Sequence, residues 1–237
     1  MIARYAIYYA PAADHPLTRM ASAWLGYDAW TAQIVAQPTL AGVAFDAAAV
    51  ETLTKDPRLY GFHATLKAPF ALVTGHDEAA LIEAFDAFAA TRMVFDGNLV
   101  VRALHGFIAL VFDPPCRAMD ELHAASVRAF EPFRAPLSDA DLARRRRSRL
   151  TADQDERLVA YGYPWIFEDF RFHMTLAACI ADKADRAAVV AALARHFKAV
   201  TGQHRVSTLC LFKQDDRNAR FRIVHWAPMQ SGCGNTQ

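Results

Sequence analysis

The pentapeptide Phe-His-x-Thr-Leu occurs twice, as Phe62-His63-Ala64-Thr65-Leu66 and as Phe172-His173-Met174-Thr175-Leu176. With 9 histidines in 237 residues, one such pentapeptide is expected by chance in roughly 0.003 copies, so two copies constrain the fold more than any other feature of the chain. Each lies in a short run that alternates apolar and polar residues, the period of a half-buried strand. On such a strand His63 and Thr65 point to one face while Phe62, Ala64 and Leu66 point to the other, and the second copy repeats this with His173 and Thr175. Two strands that each offer an imidazole and a hydroxyl supply the parts for paired acid–base chemistry on a phosphate ester. The competing role for either Thr is ordinary strand propensity.

Around these motifs the periodicity predicts strands at 3–10, 61–69, 93–102, 106–112, 170–179, 203–213 and 219–226. Helices are expected at 15–25, 46–55, 77–91, 116–131 and 182–200, with a further capped start at Thr151. The order strand, helix, insertion, motif strand, helix, strand appears in 4–102 and again in 106–213, with 219–226 added. The expectation is one α+β domain over 1–230, built from two duplicated halves about a pseudo-twofold, and a disordered tail over 231–237.

Composition excludes several classes. A net charge of +1 supplies no field toward nucleic acid or anionic membrane, and no apolar run approaches the length of a membrane span. The first ten residues lack a basic start followed by a long apolar stretch, so no signal peptide is expected. Cys116, Cys179, Cys210 and Cys233 show no paired spacing; Cys179 and Cys210 read as small core residues, and a reducing cytoplasm is the expected compartment. The remaining histidines lack zinc-site spacing, and there is no glycine-rich phosphate loop.

Lys67 follows Thr65 on the same expected face, and Arg171 precedes His173 on its own, so either cation is a candidate to hold a substrate phosphate. The competing role for both is a surface salt bridge. Tyr5, Tyr8, Tyr60 and Tyr163 are candidate cleft hydroxyls or stacking platforms, with core packing as the alternative. Arg144-Arg145-Arg146-Arg147 cannot share one helix face and is surrounded by Asp139, Asp141, Asp153, Asp155 and Glu156, which favours a solvated face over a phosphate-binding patch.

The two His-x-Thr motifs, their strand setting and the helix after each resemble the two-histidine phosphoesterase superfamily over most of residues 1–228. The strings Tyr60-Gly-Phe-His-Ala-Thr-Leu-Lys-Ala-Pro-Phe70, Tyr161-Gly-Tyr-Pro164 and Glu168-Asp-Phe-Arg-Phe-His-Met-Thr-Leu176 are similar to the branch encoded beside carbon–phosphorus lyase genes. That resemblance implies a bilobed fold of two mainly antiparallel sheets flanked by helices around a central cleft. It also implies hydrolysis or transfer at a cyclic or linear phosphodiester without metal or other cofactor. For the phosphonate branch the implied substrate is a five-membered cyclic phosphate of a ribose phosphate. Two other functions remain open: an RNA-end enzyme acting on 2′,3′-cyclic or 2′–5′ ends, and a non-catalytic nucleotide- or phosphate-binding module. The expected partner is a small phosphate ester, with nucleic acid limited to a terminal nucleotide and the chain a monomer.

Overall fold

Strand alternation in the first ten residues sets the frame. In β1 (Arg4–Tyr9) the odd residues Tyr5, Ile7 and Tyr9 enter the main apolar core, whereas Ala6 and Tyr8 join a second cluster on the opposite face. The computed structural model describes residues 2–39 and 47–231. After β1 come α1 (Pro16–Leu25), a small hairpin of β2 (Tyr27–Asp28) and β3 (Gln33–Ile34), and α2 (Ala47–Tyr60). The first motif strand is β4 (Ala64–Phe70), followed by α3 (Glu78–Ala89) and the hairpin β5 (Phe95–Leu104) and β6 (Phe107–Phe112). Next are α4 (Arg117–Ala129), α5 (Asp139–Arg146) and α6 (Ala152–Tyr161). The second motif strand is β7 (Met174–Ala177), then α7 (Lys183–His196), β8 (Gly202–Val206), β9 (Thr208–Gln214) and β10 (Arg222–Pro228).

The principal strands form two four-stranded antiparallel sheets, ordered β10-β9-β1-β4 and β7-β6-β5-β8. Read from the motif strand outward, the two orders are β4-β1-β9-β10 and β7-β6-β5-β8. They correspond position by position, which is the α+β pseudo-twofold layout expected from the repeat.

The halves are not separate lobes along the chain, however. The third strand of each half, β5 in one and β9 in the other, lies in the sheet of its partner half. The expected strand 203–213 is therefore two strands in two sheets, β8 and β9, broken at Ser207. Helices cross over in the same sense: α4 packs on β4, and α1 and α2 pack on β7. The Trp24 indole of α1 donates to the Leu176 carbonyl at 2.7 Å, tying the first half to the second motif.

Other boundaries shift for local reasons. The helix expected to stop at 55 runs through Pro57 to Tyr60. Its continuation is supported by tertiary contacts, since Arg58 donates to the Leu25 carbonyl at 2.7 Å and to Gln37 at 2.6 Å. Cys210 is buried as expected, but Cys179 is exposed. Residue 46 of the expected helix, Cys233 and all of the expected tail over 231–237 except Ser231 lie outside the described residues. Among the described residues no helix is long and apolar enough to cross a membrane.

Two buried histidines make the fold acid-sensitive. His204 pairs with the Tyr9 hydroxyl at 2.5 Å, and His123 accepts the Phe167 N–H at 3.2 Å. Burial is the main cause that lowers each to about 4. An unfolded chain binds these protons near pH 6.5 while the folded one refuses them until about 4, so stability falls as pH drops through that window. The expected slope is on the order of 1 kcal/mol per pH unit for each histidine. Urea denaturation between pH 7 and 4.5 checks this; a free energy of unfolding that is flat across the window contradicts it.

Candidate active site

Both motif strands carry the same irregularity. Tyr8 pairs with Thr65 and Ile7 with Lys67, so Leu66 is an extra residue; in the second sheet Ala109 pairs with Thr175 and Ile108 with Ala177, so Leu176 is extra. A β-bulge thus falls at the Leu of each pentapeptide, and a bulge reverses the face taken by whatever follows. Both leucines are fully buried. The conserved-looking spacing of the repeat therefore encodes a bulge as well as a strand.

The two imidazoles sit one residue before their strands and are held alike. His63 Nδ1 lies 3.0 Å from the Gly61 carbonyl, and His173 Nδ1 lies 2.7 Å from the Arg171 carbonyl. A carbonyl oxygen only accepts, so both Nδ1 atoms carry hydrogen, and in the neutral ring Nε2 is the acceptor end. His63 stacks on the buried Tyr8 ring at 3.9 Å and 19°. His173 packs edge-on against Phe107 at 5.3 Å.

These groups share one cleft. Two cavities of about 590 and 480 Å³ meet at Thr65, Ala68, Tyr163 and Trp165. The larger holds His63 and Thr175, the smaller His173. Strands β4 and β7, which follow the two histidines, lie close to each other. The Thr65 hydroxyl lies 3.3 Å from His63 Nε2. The His63 pKa is lowered to about 4, chiefly by burial, with the Gly61 bond opposing and the charge of His173 adding. Burial also lowers His173, with His105 adding and the Arg171 carbonyl opposing. Neutral, Nδ1-protonated rings with unprotonated Nε2 atoms are poised to accept protons.

Of the other expected site residues, Tyr8, Tyr60, Tyr163 and Arg171 line the cleft. Arg171 is exposed and directs one nitrogen to the carbonyls of Glu168 and Phe170, at 2.7 and 2.6 Å. Lys67 does not reach the cleft. The bulge at Leu66 turns it to the far face, where it is 3% exposed and donates to Glu131 at 2.8 Å and to the Val127 carbonyl at 3.1 Å. Tyr5 is also turned away: its parity is that of Ile7, not Tyr8, and its hydroxyl donates to Glu78 at 2.7 Å.

The sequence reading missed Arg4, Arg144, Arg145 and Arg217, which all line the larger cavity. Strand parity with Tyr8 marks Arg4. Arg144 is exposed, as expected of a solvated face, yet lines the cavity, while Arg145 is half-buried there. Asp141 is not a competitor that neutralises the run; it braces Arg144 at 2.8 Å and Arg217 at 2.7 Å over the cleft. The far side of the run behaves as expected, with Arg146 paired to Asp155 at 2.6 Å. Among the described residues no three His, Cys, Asp or Glu side chains converge as metal ligands.

With a two-sheet scaffold presenting one His-x-Thr unit from the matching strand of each sheet, the molecule has the architecture that the family resemblance implies. A family model described as "Protein of unknown function (DUF1045)" matches residues 65–222, and the chain belongs to that family. Two curated relatives carry the name "Ribose 1,5-bisphosphate phosphokinase PhnN". The one from Janthinobacterium sp. (strain Marseille) is 40% identical over 174 residues, covering 73% of this chain and 38% of that protein. The one from Laribacter hongkongensis (strain HLHK9) is 36% identical over 220 residues, covering 93% and 50%. The chain thus spans half or less of the length of these relatives. Among solved structures, E. coli LigT complexed with 3′-AMP is similar at a TM-score of 0.44 and 14% identity, covering 97% of this chain and 99% of that one. E. coli LigT complexed with NADP+ is similar at 0.48 and 12%, with the same coverage. Both structural similarities are distant.

Gly61 is a test of how the His63 ring is set. Its φ is +74°, and a Cβ there would stand 2.6 Å from the Ala29 Cβ. Gly61→Ala must therefore shift the carbonyl that holds His63. The expected result is a loss of about 1–3 kcal/mol of stability together with a further lowered His63 pKa, because the Gly61 carbonyl favours the protonated ring, read by denaturation and by NMR titration. An unchanged titration of His63 in a folded G61A protein would contradict this role.

Proposed function

We propose that the chain is a metal-independent cyclic phosphodiesterase that opens a small cyclic sugar phosphate, with His63 as general base and His173 as general acid. The observation that carries this is the matched pinning of both Nδ1–H groups by backbone carbonyls, which leaves two Nε2 atoms to act across one cleft. His63 Nε2 takes a proton from water, and the water oxygen forms a bond to phosphorus. The bond from phosphorus to the ring ester oxygen breaks, and His173 Nε2–H protonates that oxygen. Thr65 and Thr175 donate to the non-bridging oxygens as charge builds there. Each proton transfer contributes typically about 10²–10⁴-fold.

His63 is assigned the base because burial is the main cause that lowers its pKa to about 4, so it is unprotonated near neutral pH. The acid must carry a proton, and an anionic phosphate entering the cleft favours protonation of His173. A ribose-scale substrate is supported by the size of the cleft and by the ribose phosphate in the relatives' names. The kinase part of those names is not carried over. Phosphorylation by a nucleotide needs a cradle for its phosphates, and this sequence has no glycine-rich loop of that kind. A place in phosphonate breakdown, in the cytoplasm and as a monomer, completes the proposal.

Turnover of small 2′,3′- and 1,2-cyclic phosphates in the presence of EDTA is the test. His63→Ala and His173→Ala should each lower kcat by at least about 10²-fold with chelator present. Activity abolished by EDTA and restored by a divalent ion would overturn the metal-independent mechanism.

The pH dependence has a definite sign. In the free enzyme the base is lost as pH falls through about 4, and the acid is lost as pH rises through the lowered pKa of His173. The profile of kcat/KM should therefore peak on the acidic side of 6.5, the ordinary value for histidine. A peak above pH 8 would contradict the assignment.

A further inference from the structure

The larger half of the cleft is lined by Arg4, Arg144, Arg145 and Arg217, with no carboxylate in its lining. These guanidiniums come from three separate parts of the chain: β1, α5 and the turn between β9 and β10. Each is held in place. Arg4 donates to Gln214 at 2.9 Å, Arg144 and Arg217 share Asp141, and Arg145 lies over the Tyr163 ring at 5.3 Å. Asp141 is kept ionised: burial opposes, but the hydrogen bond and charge of Arg217 prevail, with Ser138 and Arg144 adding. The group thus sets four positive charges against one negative.

That arrangement repels itself. Burial is the main cause that lowers the pKa of Arg4, followed by the charge of Arg217; burial likewise leads for Arg145, with Arg144 adding. Arg145 Nε is buried and has no hydrogen-bond partner among the described residues. A buried unpaired guanidinium donor is costly, and a tetrahedral oxyanion is the ligand that best answers several forked donors at once. The smaller half of the cleft has a different lining, mostly aromatic and aliphatic around His173, with Phe107, Trp165, Ile166 and Phe170.

We propose that the arginine-lined half is a subsite for a second, terminal phosphate monoester carried by the same substrate molecule. This rests on the phosphodiesterase reading for the position of the first phosphate, between the two histidines. Substrates are then doubly phosphorylated: a cyclic diester at the histidines and a dianion at the arginines. In this role Arg4, Arg144, Arg145 and Arg217 replace Lys67, while Arg171 lines the other half of the cleft beside His173.

Calorimetric titration of the intact chain with 2′-AMP and with adenosine 2′,5′-bisphosphate tests the subsite without requiring turnover. The bisphosphate should bind at least about 10-fold more tightly, as a charge-assisted bidentate contact implies. That advantage should collapse in Arg217→Ala, on an exposed turn that tolerates change, and in Arg145→Ala, and be partly restored in Arg145→Lys. Equal affinities, an advantage that survives both alanine variants, or no binding by either ligand overturns the subsite. A dinucleotide with an internal phosphodiester that gains as much as the bisphosphate overturns the monoester assignment in favour of an oligonucleotide backbone. If neither matching cyclic phosphate is hydrolysed while the bisphosphate advantage stands, the subsite is upheld and the phosphodiesterase reading fails.

Discussion

Two hydrogen bonds from imidazole Nδ1–H to a carbonyl two residues earlier in the chain, at Gly61 and at Arg171, fix what the rest of the molecule is arranged around. They settle the tautomer of each ring, and with it which nitrogen meets a ligand. Each bond is local, so the motif carries its own orientation wherever its strand is placed. Everything else in the fold serves to bring two such units to adjoining cavities and to bury both rings enough to lower their pKa values.

The exchange of third strands between halves accomplishes the placement. Because β5 and β9 each lie in the partner half's sheet, and α1, α2 and α4 pack across, neither sheet can form from one half alone. The geometry between His63 and His173 is thereby coupled to the whole core rather than to a hinge. The two bulges at Leu66 and Leu176 add the final adjustment, since each anchors a buried leucine while its strand changes face. The cleft is polar at one end and apolar at the other, so a ligand has a preferred direction in it.

Much of this was legible in the residues. The duplicated pentapeptide, its alternation and the helix after each copy lead directly to two equivalent motif strands and to His63, Thr65, His173 and Thr175 on the cleft. Strict alternation misplaced Lys67, because a bulge has no marker in a single sequence beyond the repeat itself. Tyr5 was a parity error that Tyr8 could have exposed, since the two cannot share a face of one regular strand. The arginines were hidden by distance: Asp141 in α5 braces Arg217 on a turn 76 residues away, a pairing that only the folded chain reveals. The split of 203–213 at Ser207 has the same origin, because a continuous apolar pattern does not say which sheet each part joins.

The central claim is that both histidines are neutral, Nδ1-protonated rings whose Nε2 atoms face a common cleft. Nitrogen-15 NMR of histidine-labelled protein across pH 4–8 reads this directly. The predicted result is two rings with Nδ1–H and an unprotonated Nε2 at neutral pH, His63 titrating near 4 and His173 below 6.5, with the pKa of His63 raised by alanine at His173. Rings protonated at Nε2 instead, or a His63 that titrates above 6.5, would contradict the account.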